Sequence, residues 1–301
     1  MEQCLTQTKI IHKKKKHVAT GIVYYVVGAI LALIFLFPII YMLAASTKTE
    51  AQHALDAGTL RMFLPSFNFK TMFNNYSVLF TEFAVWKYFI NSLVYAAIVI
   101  VLNILINGLA GYAIAKFTFP GKRFFNFLII FLIVVPVETS IIPLYEVVKE
   151  LLHLKKELSV LAVILPPSIS IFNIFLFVQF FKGIPNEFEE AARIDGAGTL
   201  RVFFSIIVPL SKPIIATVAV FCFIGVWNDY LWPIMVLPSA QEGEWPLQPI
   251  QSALESIRSI EGITTGEIMA SLVFTSLPIF IVYVVAQKYI VQGFGSAGLK
   301  L

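Results

Sequence analysis

The chain has 301 residues, of which 58% are hydrophobic and 13% charged, with a mean hydropathy of +0.83. An ordinary soluble domain carries roughly 25% charged residues, so this composition excludes one and indicates a chain that crosses a membrane. The net charge is only +4, and two cysteines, Cys4 and Cys222, exclude a disulfide framework and a cysteine-type metal site.

A basic tail comes first, residues 1–21, with Lys9 and Lys13 to Lys16 ahead of the first apolar run. Such a run suits nucleic acid or anionic lipid, but in front of a hydrophobic span it marks the cytoplasmic side, and no nucleic-acid partner is expected. Apolar runs bounded by charge then predict six helical spans, near 22–45, 88–115, 124–146, 159–181, 212–236 and 269–290. The first exceeds the 7 to 15 residues typical of a signal core, which favours a retained anchor. Together the spans form one six-helix transmembrane domain, 22–290, followed by a tail at 291–301. With the N-terminus inside, the inner segments hold fourteen of the 22 lysines and arginines and the outer loops eight, so both termini are expected in the cytoplasm. Two long outer loops, 46–87 and 237–268, are rich in turn formers and aromatics and are candidates for docking an external partner.

The longest inner loop contains "EEAARIDGAGTLRVFFSIIVPL", Glu189 to Leu210. Asn186 followed three residues later by Glu189 predicts a capping box and a short helix that stops near Asp195 and Gly196. A second helix is expected from about Thr199, exposing Phe203, Phe204 and Ile206 and interrupted by Pro209. Small residues at Ala191, Ala192 and Ala197 permit close approach of another surface. Such a helix-turn-helix knuckle suits either a groove in a partner protein or the lipid headgroups. The chain has no phosphate-binding glycine loop, no metal-ligand motif and no nucleophile-base constellation, so no catalytic or metal-binding residue and no cofactor of its own is expected.

The knuckle resembles the EAA signature of binding-protein-dependent ABC transporter permeases: Glu190, Ala191, Ala192, Gly196, Ile206 and Pro209 match, with Val208 where leucine is usual. "FINSLVYA" at Phe89, "GYAIAKFTFPGK" at Gly111, "IIPLY" at Ile141, "GVWNDYLWPIMVL" at Gly225 and "QGFGSAGLKL" at Gln292 are similar to the second, maltose-type permease of carbohydrate uptake systems. The resemblance implies an all-α fold of six spans, the type I ABC importer permease, in a prokaryotic inner membrane. It also implies pairing with a homologous second permease, two ATP-binding cassette subunits that hold ATP and magnesium, and an extracellular or periplasmic sugar-binding protein. The loop 184–210 then becomes an ATPase-coupling segment, with Glu189, Glu190, Ala191, Ala192, Arg193, Asp195, Gly196, Ala197, Phe203 and Pro209 as its contacts. Gly295, Ser296 and Gly298 in the tail are a second contact by the same resemblance.

Polar groups inside spans are costly and are functional candidates by default. Glu138, Asn173, Trp227, Asn228, Asp229 and Tyr230 are therefore expected along a substrate pathway, the aromatics stacking on a sugar ring. Interhelical hydrogen bonding is the competing role for the Asn and Asp side chains, and Glu138 is either a gate or a group reaching for the outer surface. An ion-coupled carrier using Glu138 and Asp229 is a rival reading; no two-half repeat with broken helices is visible in the sequence to support it. An importer of a non-sugar solute such as glycerol phosphate stays open as well.

Overall fold

The computed structural model describes residues 2–154, 158–238 and 244–298, with side chains over 21, 23–154, 158–238 and 244–287. In chain order the helices are α1 (Glu2–Ala45), α2 (Glu50–Asp56), α3 (Phe69–Thr81), α4 (Val85–Lys116), α5 (Lys122–Val134), α6 (Ile141–Glu146), α7 (Ser159–Ile164), α8 (Ile171–Lys182), α9 (Glu187–Ile194), α10 (Thr199–Val202), α11 (Val208–Leu210), α12 (Lys212–Asn228), α13 (Leu231–Val236), α14 (Ile250–Arg258) and α15 (Thr265–Gly298). No strand occurs among the described residues.

Four segments are long and apolar enough to cross a membrane: Val23–Ala45, Val85–Lys116, Ser159–Lys182 and Thr265–Gln287. Two bent pairs meet the same measure, Lys122–Val134 with Val137–Leu151 at 99° and Thr199–Leu210 with Lys212–Asn228 at 83°, giving up to six if each pair is one span. Each bent pair is a broken span or a re-entrant loop, a feature that the sequence reading did not place. Proline explains the positions of the breaks: Pro136, Pro166, Pro167 and Pro209 cannot donate to the helical ladder. At Pro209 the strain is spread backwards, and Phe203–Ile207 widens into a π-helix that gives the proline ring room. The fifth expected span, 212–236, is divided, since α12 stops at Asn228 and α13 follows after Asp229 and Tyr230.

The chain forms two compact units, residues 1–78 with 262–273, and residues 79–261 with 274–301. In the first, the end of α1 is tied to its own following segment. Lys48, buried, pairs with Asp56 at 2.8 Å and donates to the Arg61 carbonyl at 2.8 Å. Asn75 of α3 donates to the Ser46 and Lys48 carbonyls, at 2.9 and 3.0 Å. Thr49 and Gln52 form the capping box of α2. The expected first outer loop is thus mostly helical.

The second unit is organised around α4. Its first half is stitched to the extended stretch before α14: Asn91 donates to the Pro246 and Gln248 carbonyls, Tyr95 to the Leu247 carbonyl, and the Ile250 amide donates to Ser92. The expected second outer loop is pinned, because backbone groups this deep need internal partners. At the other end of α4, Tyr112, Phe177, Phe181, Val202, Phe203, Ile207, Ile214 and Val218 make a largely aromatic core. Gly111 allows α8 to approach closely there, since a Cβ on it would lie 2.6 Å from the Phe177 Cβ. Outward-facing apolar side chains such as Phe127 and Ile130 on α5 and Val284 on α15 are exposed, as lipid-facing positions require.

Candidate functional site

The knuckle begins with three acids, Glu187, Glu189 and Glu190, in the first turn of α9 and Arg193 in its last, the order that the helix dipole favours. It ends in a Schellman turn: the Gly196 amide donates to the Arg193 carbonyl at 3.1 Å and the Ala197 amide to the Ala192 carbonyl at 2.9 Å. Gly196 has φ +82°, where a side chain is strained, so glycine is required by the backbone itself.

Two expectations are corrected here. Asn186 occupies the N-cap position, but no capping box forms. Its Oδ1 accepts instead from Lys116 Nζ at 2.8 Å, and Glu189 turns inward, where it is 7% exposed. The Glu189 carboxylate accepts from the Tyr112 hydroxyl at 2.9 Å and lies 3.5 Å from Lys116 Nζ. The Tyr112 phenol hydrogen-bonds Oε2 of this carboxylate, and buried Oε1, with no hydrogen-bond partner among the described residues, is compensated by the Lys116 charge 3.5 Å away. Phe203, expected to be exposed, is buried at 3% against Tyr112, Phe181 and the bare face of Gly108.

Glu190, Ala191, Arg193, Asp195, Gly196 and Pro209 are exposed, while Ala192 and Ala197 are half-buried against the core. The apolar anchors that face outward are Phe188, Ile194, Leu200 and Phe204, with Ile194 86% exposed. Sequence reasoning missed Phe188, Ile194 and Leu200. The available signal was Phe188, Ala191 and Ile194 recurring every third residue among acids, a stripe the core does not use.

The polar groups of the spans separate into two sets. Asn173 is buried and donates to Asn103 Oδ1 at 2.9 Å; Asn103 donates to the Pro167 carbonyl at 3.1 Å. Asn107 donates to the Ser168 carbonyl and accepts from the Ser170 amide, both at 3.1 Å. These asparagines satisfy the break between α7 and α8, so Asn173 is placed in helix packing. Trp227 is likewise buried, its Nε1 donating to the Thr275 carbonyl at 3.1 Å and its ring stacked on Phe223 at 5.3 Å. That ring is not available to stack on a ligand.

The second set is accessible. Asn228 and Tyr230 are exposed, and half-buried Asp229 accepts from the Trp232 amide at 3.2 Å, capping α13. Tyr230 lines a cleft of about 240 Å³ with Gln251, Leu254, Glu255 and Arg258 of α14, none of which the sequence singled out. Glu138 is exposed in a 3-10 turn, Val137–Ser140, at the break between α5 and α6. The side chains of Gly295, Ser296 and Gly298 lie outside the described ones; the backbone there continues α15.

A family model described as the binding-protein-dependent transport system inner membrane component matches residues 107–296. An arabinooligosaccharides transport system permease protein of Halalkalibacterium halodurans is 31% identical over 273 residues, covering 90% of this chain and 94% of that one. An sn-glycerol-3-phosphate transport system permease protein of Yersinia pestis is 38% identical over 206 residues, 68% of this chain and 70% of that one. Among solved structures, a bacterial ABC transporter involved in the import of the acidic polysaccharide alginate aligns with a TM-score of 0.74 at 27% identity, over 89% of this chain and 95% of that one.

Proposed function

Because the chain belongs to the family of inner membrane components of binding-protein-dependent transport systems, we propose that it is one half of the translocation pathway of an ATP-driven importer of sugars or oligosaccharides. A homologous second permease supplies the other half, two ATP-binding cassette subunits supply the energy, and an external binding protein delivers the solute. Six spans with both termini in the cytoplasm fit this reading, supported by the charge bias of the loops and by the two bent helix pairs. The ion-coupled alternative gives way to the family membership, even though bent helix pairs are present.

The observation that carries the proposal is the set of exposed apolar side chains on and just after the knuckle, Phe188 and Ile194 on α9, Leu200 on α10 and Phe204 in the π-helix that follows, with Glu190 and Arg193 exposed beside them. Four large apolar side chains on an otherwise charged segment are the pattern of a helix that seats in a partner's groove. In this reading ATP and magnesium sit on the partner subunits. Nucleotide binding brings those subunits together, the seated α9 moves with them, and differential affinity of nucleotide for the two conformations supplies the bias. Asn228, Asp229, Tyr230 and Glu138 are the candidates for contact with solute. The glycerol phosphate relative keeps a phosphorylated polyol as the second cargo reading.

Expression with the neighbouring transport genes tests the assignment. An ATP-binding subunit should co-purify with the wild-type chain, and Ile194→Glu or Glu190→Lys should abolish ATP-dependent uptake. Absence of any co-purifying ATPase, or full uptake by both variants, would sink the reading. The ligand held by the cognate binding protein decides between sugar and polyol phosphate.

A further inference from the structure

We infer that Tyr112 and Lys116, in the last turns of α4, are positioning residues that lock α9 to α4 as a single lever. Displacement of α9 is then delivered to α4 and is not absorbed in the short linker after α8. The inference rests on the reading of the knuckle as the ATPase-coupling segment.

Lys116 holds the linker at two points, donating to the Ile184 carbonyl at 2.6 Å and to Asn186 Oδ1 at 2.8 Å. It also faces the Glu189 carboxylate at 3.5 Å, and Tyr112 donates to the other oxygen of that carboxylate at 2.9 Å. One ammonium and one phenol on α4 therefore grip the linker, the N-cap and the first turn of α9. The inner part of this cluster is enclosed: Tyr112 is 2% exposed and the Lys116 and Glu189 side chains 6% and 9%, while Asn186 at its edge is exposed.

An apolar contact would seat α9 equally well, and a buried ion pair is weak evidence for added stability. What directional, desolvated bonds supply is resistance to sliding and rotation. The other arm of the knuckle is attached differently. Past α10 the chain meets the bundle through Phe203, whose ring lies against Tyr112 and Phe181, then bends by 83° where Ser211 separates α11 from α12. The arm before the Schellman turn is therefore held to α4 by polar bonds, and the arm after it by apolar packing, Phe203 against Tyr112 included.

The assay uses the complete complex in proteoliposomes with its binding protein and solute. Tyr112→Phe removes one hydroxyl at nearly constant volume, Lys116→Met removes the charge, and Lys116→Arg keeps it. Each is measured for assembled complex, basal ATP hydrolysis, and binding-protein-stimulated hydrolysis with solute transported per ATP. Tyr112→Phe should assemble and hydrolyse ATP at the wild-type basal rate, while stimulation and transport per ATP fall about tenfold, the change expected for one charge-assisted hydrogen bond. Lys116→Met should fall at least as far and Lys116→Arg should recover most of the coupling.

Unchanged coupling in Tyr112→Phe overturns the inference, and that variant alone decides if Lys116→Met does not assemble. Loss of coupling in proportion to loss of assembled complex, with no recovery in Lys116→Arg, reduces the cluster to ordinary packing and also overturns it. If the wild-type chain brings down no ATPase, the coupling reading itself falls first.

Discussion

Gly111→Ala is the sharpest test of the packing that supports the knuckle. The added Cβ would sit 2.6 Å from the Phe177 Cβ, 3.3 Å from the Val178 amide nitrogen and 3.4 Å from the Ile174 carbonyl oxygen. Carbon atoms settle at about 3.5–4.0 Å, so α4 and α8 must separate by about 1 Å, since a Cβ and two backbone atoms are obstacles that no rotamer change can remove. Overpacking of this kind costs roughly 1–3 kcal/mol, against about 0.5–1 kcal/mol gained from replacing a helical glycine by alanine. Gly108, one turn earlier, is the internal control: its Cβ would lie 3.6 Å from the Phe203 Cζ and 3.9 Å from the Phe177 Cζ, ordinary contacts. Gly108→Ala should therefore be neutral or slightly stabilising, and the two variants should differ by about 2 kcal/mol. Reversible unfolding of the purified protein in mixed micelles, titrated with denaturing detergent, measures that difference. Equal stability of the two variants would refute the close approach of α4 and α8 at Gly111.

Asn107→Leu strips the Ser168 carbonyl and the Ser170 amide of their partners and should cost about 1–2 kcal/mol. Hydrogen exchange should accelerate at Ser170; unchanged exchange there would contradict the assigned bond. Trp227→Phe loses the bond to the Thr275 carbonyl and part of the buried packing against Phe223 and Phe89, so it should lower stability by about 1–3 kcal/mol and leave the KM for uptake unchanged. Tyr230→Ala should do the reverse, raising KM with stability held within about 0.5 kcal/mol. A KM effect confined to Trp227→Phe would reverse the assignment of these two aromatics.

The apolar runs were legible because hydrocarbon content and length decide whether a helix can cross a bilayer: the expected spans 22–45, 88–115, 159–181 and 269–290 fall largely on single long apolar helices and 124–146 on a bent pair, while 212–236 shares only Lys212–Asn228 with the other pair. The turn at Gly196 was legible because its chemistry is local. What failed was side-chain direction. Glu189 fits a capping box by spacing, yet its partner Tyr112 lies 77 residues away and only the folded chain brings them together. Phe203 reads as a free anchor until Gly108 opens a recess for its ring. Trp227 sits in a polar, aromatic stretch that suggests sugar stacking, but its indole is satisfied by α15, 48 residues on. In each case local spacing offered one partner and tertiary packing supplied a better one.

The same reasoning narrows the solute pathway. A polar side chain within a span is either a ligand contact or a replacement partner for backbone groups freed where a helix breaks, because an unpaired carbonyl in hydrocarbon costs several kcal/mol. Asn103, Asn107 and Asn173 belong to the second kind, since their donors are bound to the Pro167 and Ser168 carbonyls or to one another. Asp229 uses one oxygen to cap α13 and is half-buried, and beside it Asn228 and Tyr230 are exposed. The break between α12 and α13 is thus closed by one acceptor, while the break between α7 and α8 uses three side chains. Polar capacity at the α12–α13 break exceeds what its backbone needs, and Tyr230 opens onto the cleft lined by Gln251, Glu255 and Arg258. On the proposed function, this break and the exposed Glu138 turn between α5 and α6 are the two places where contact with a polyhydroxylated solute is to be tested.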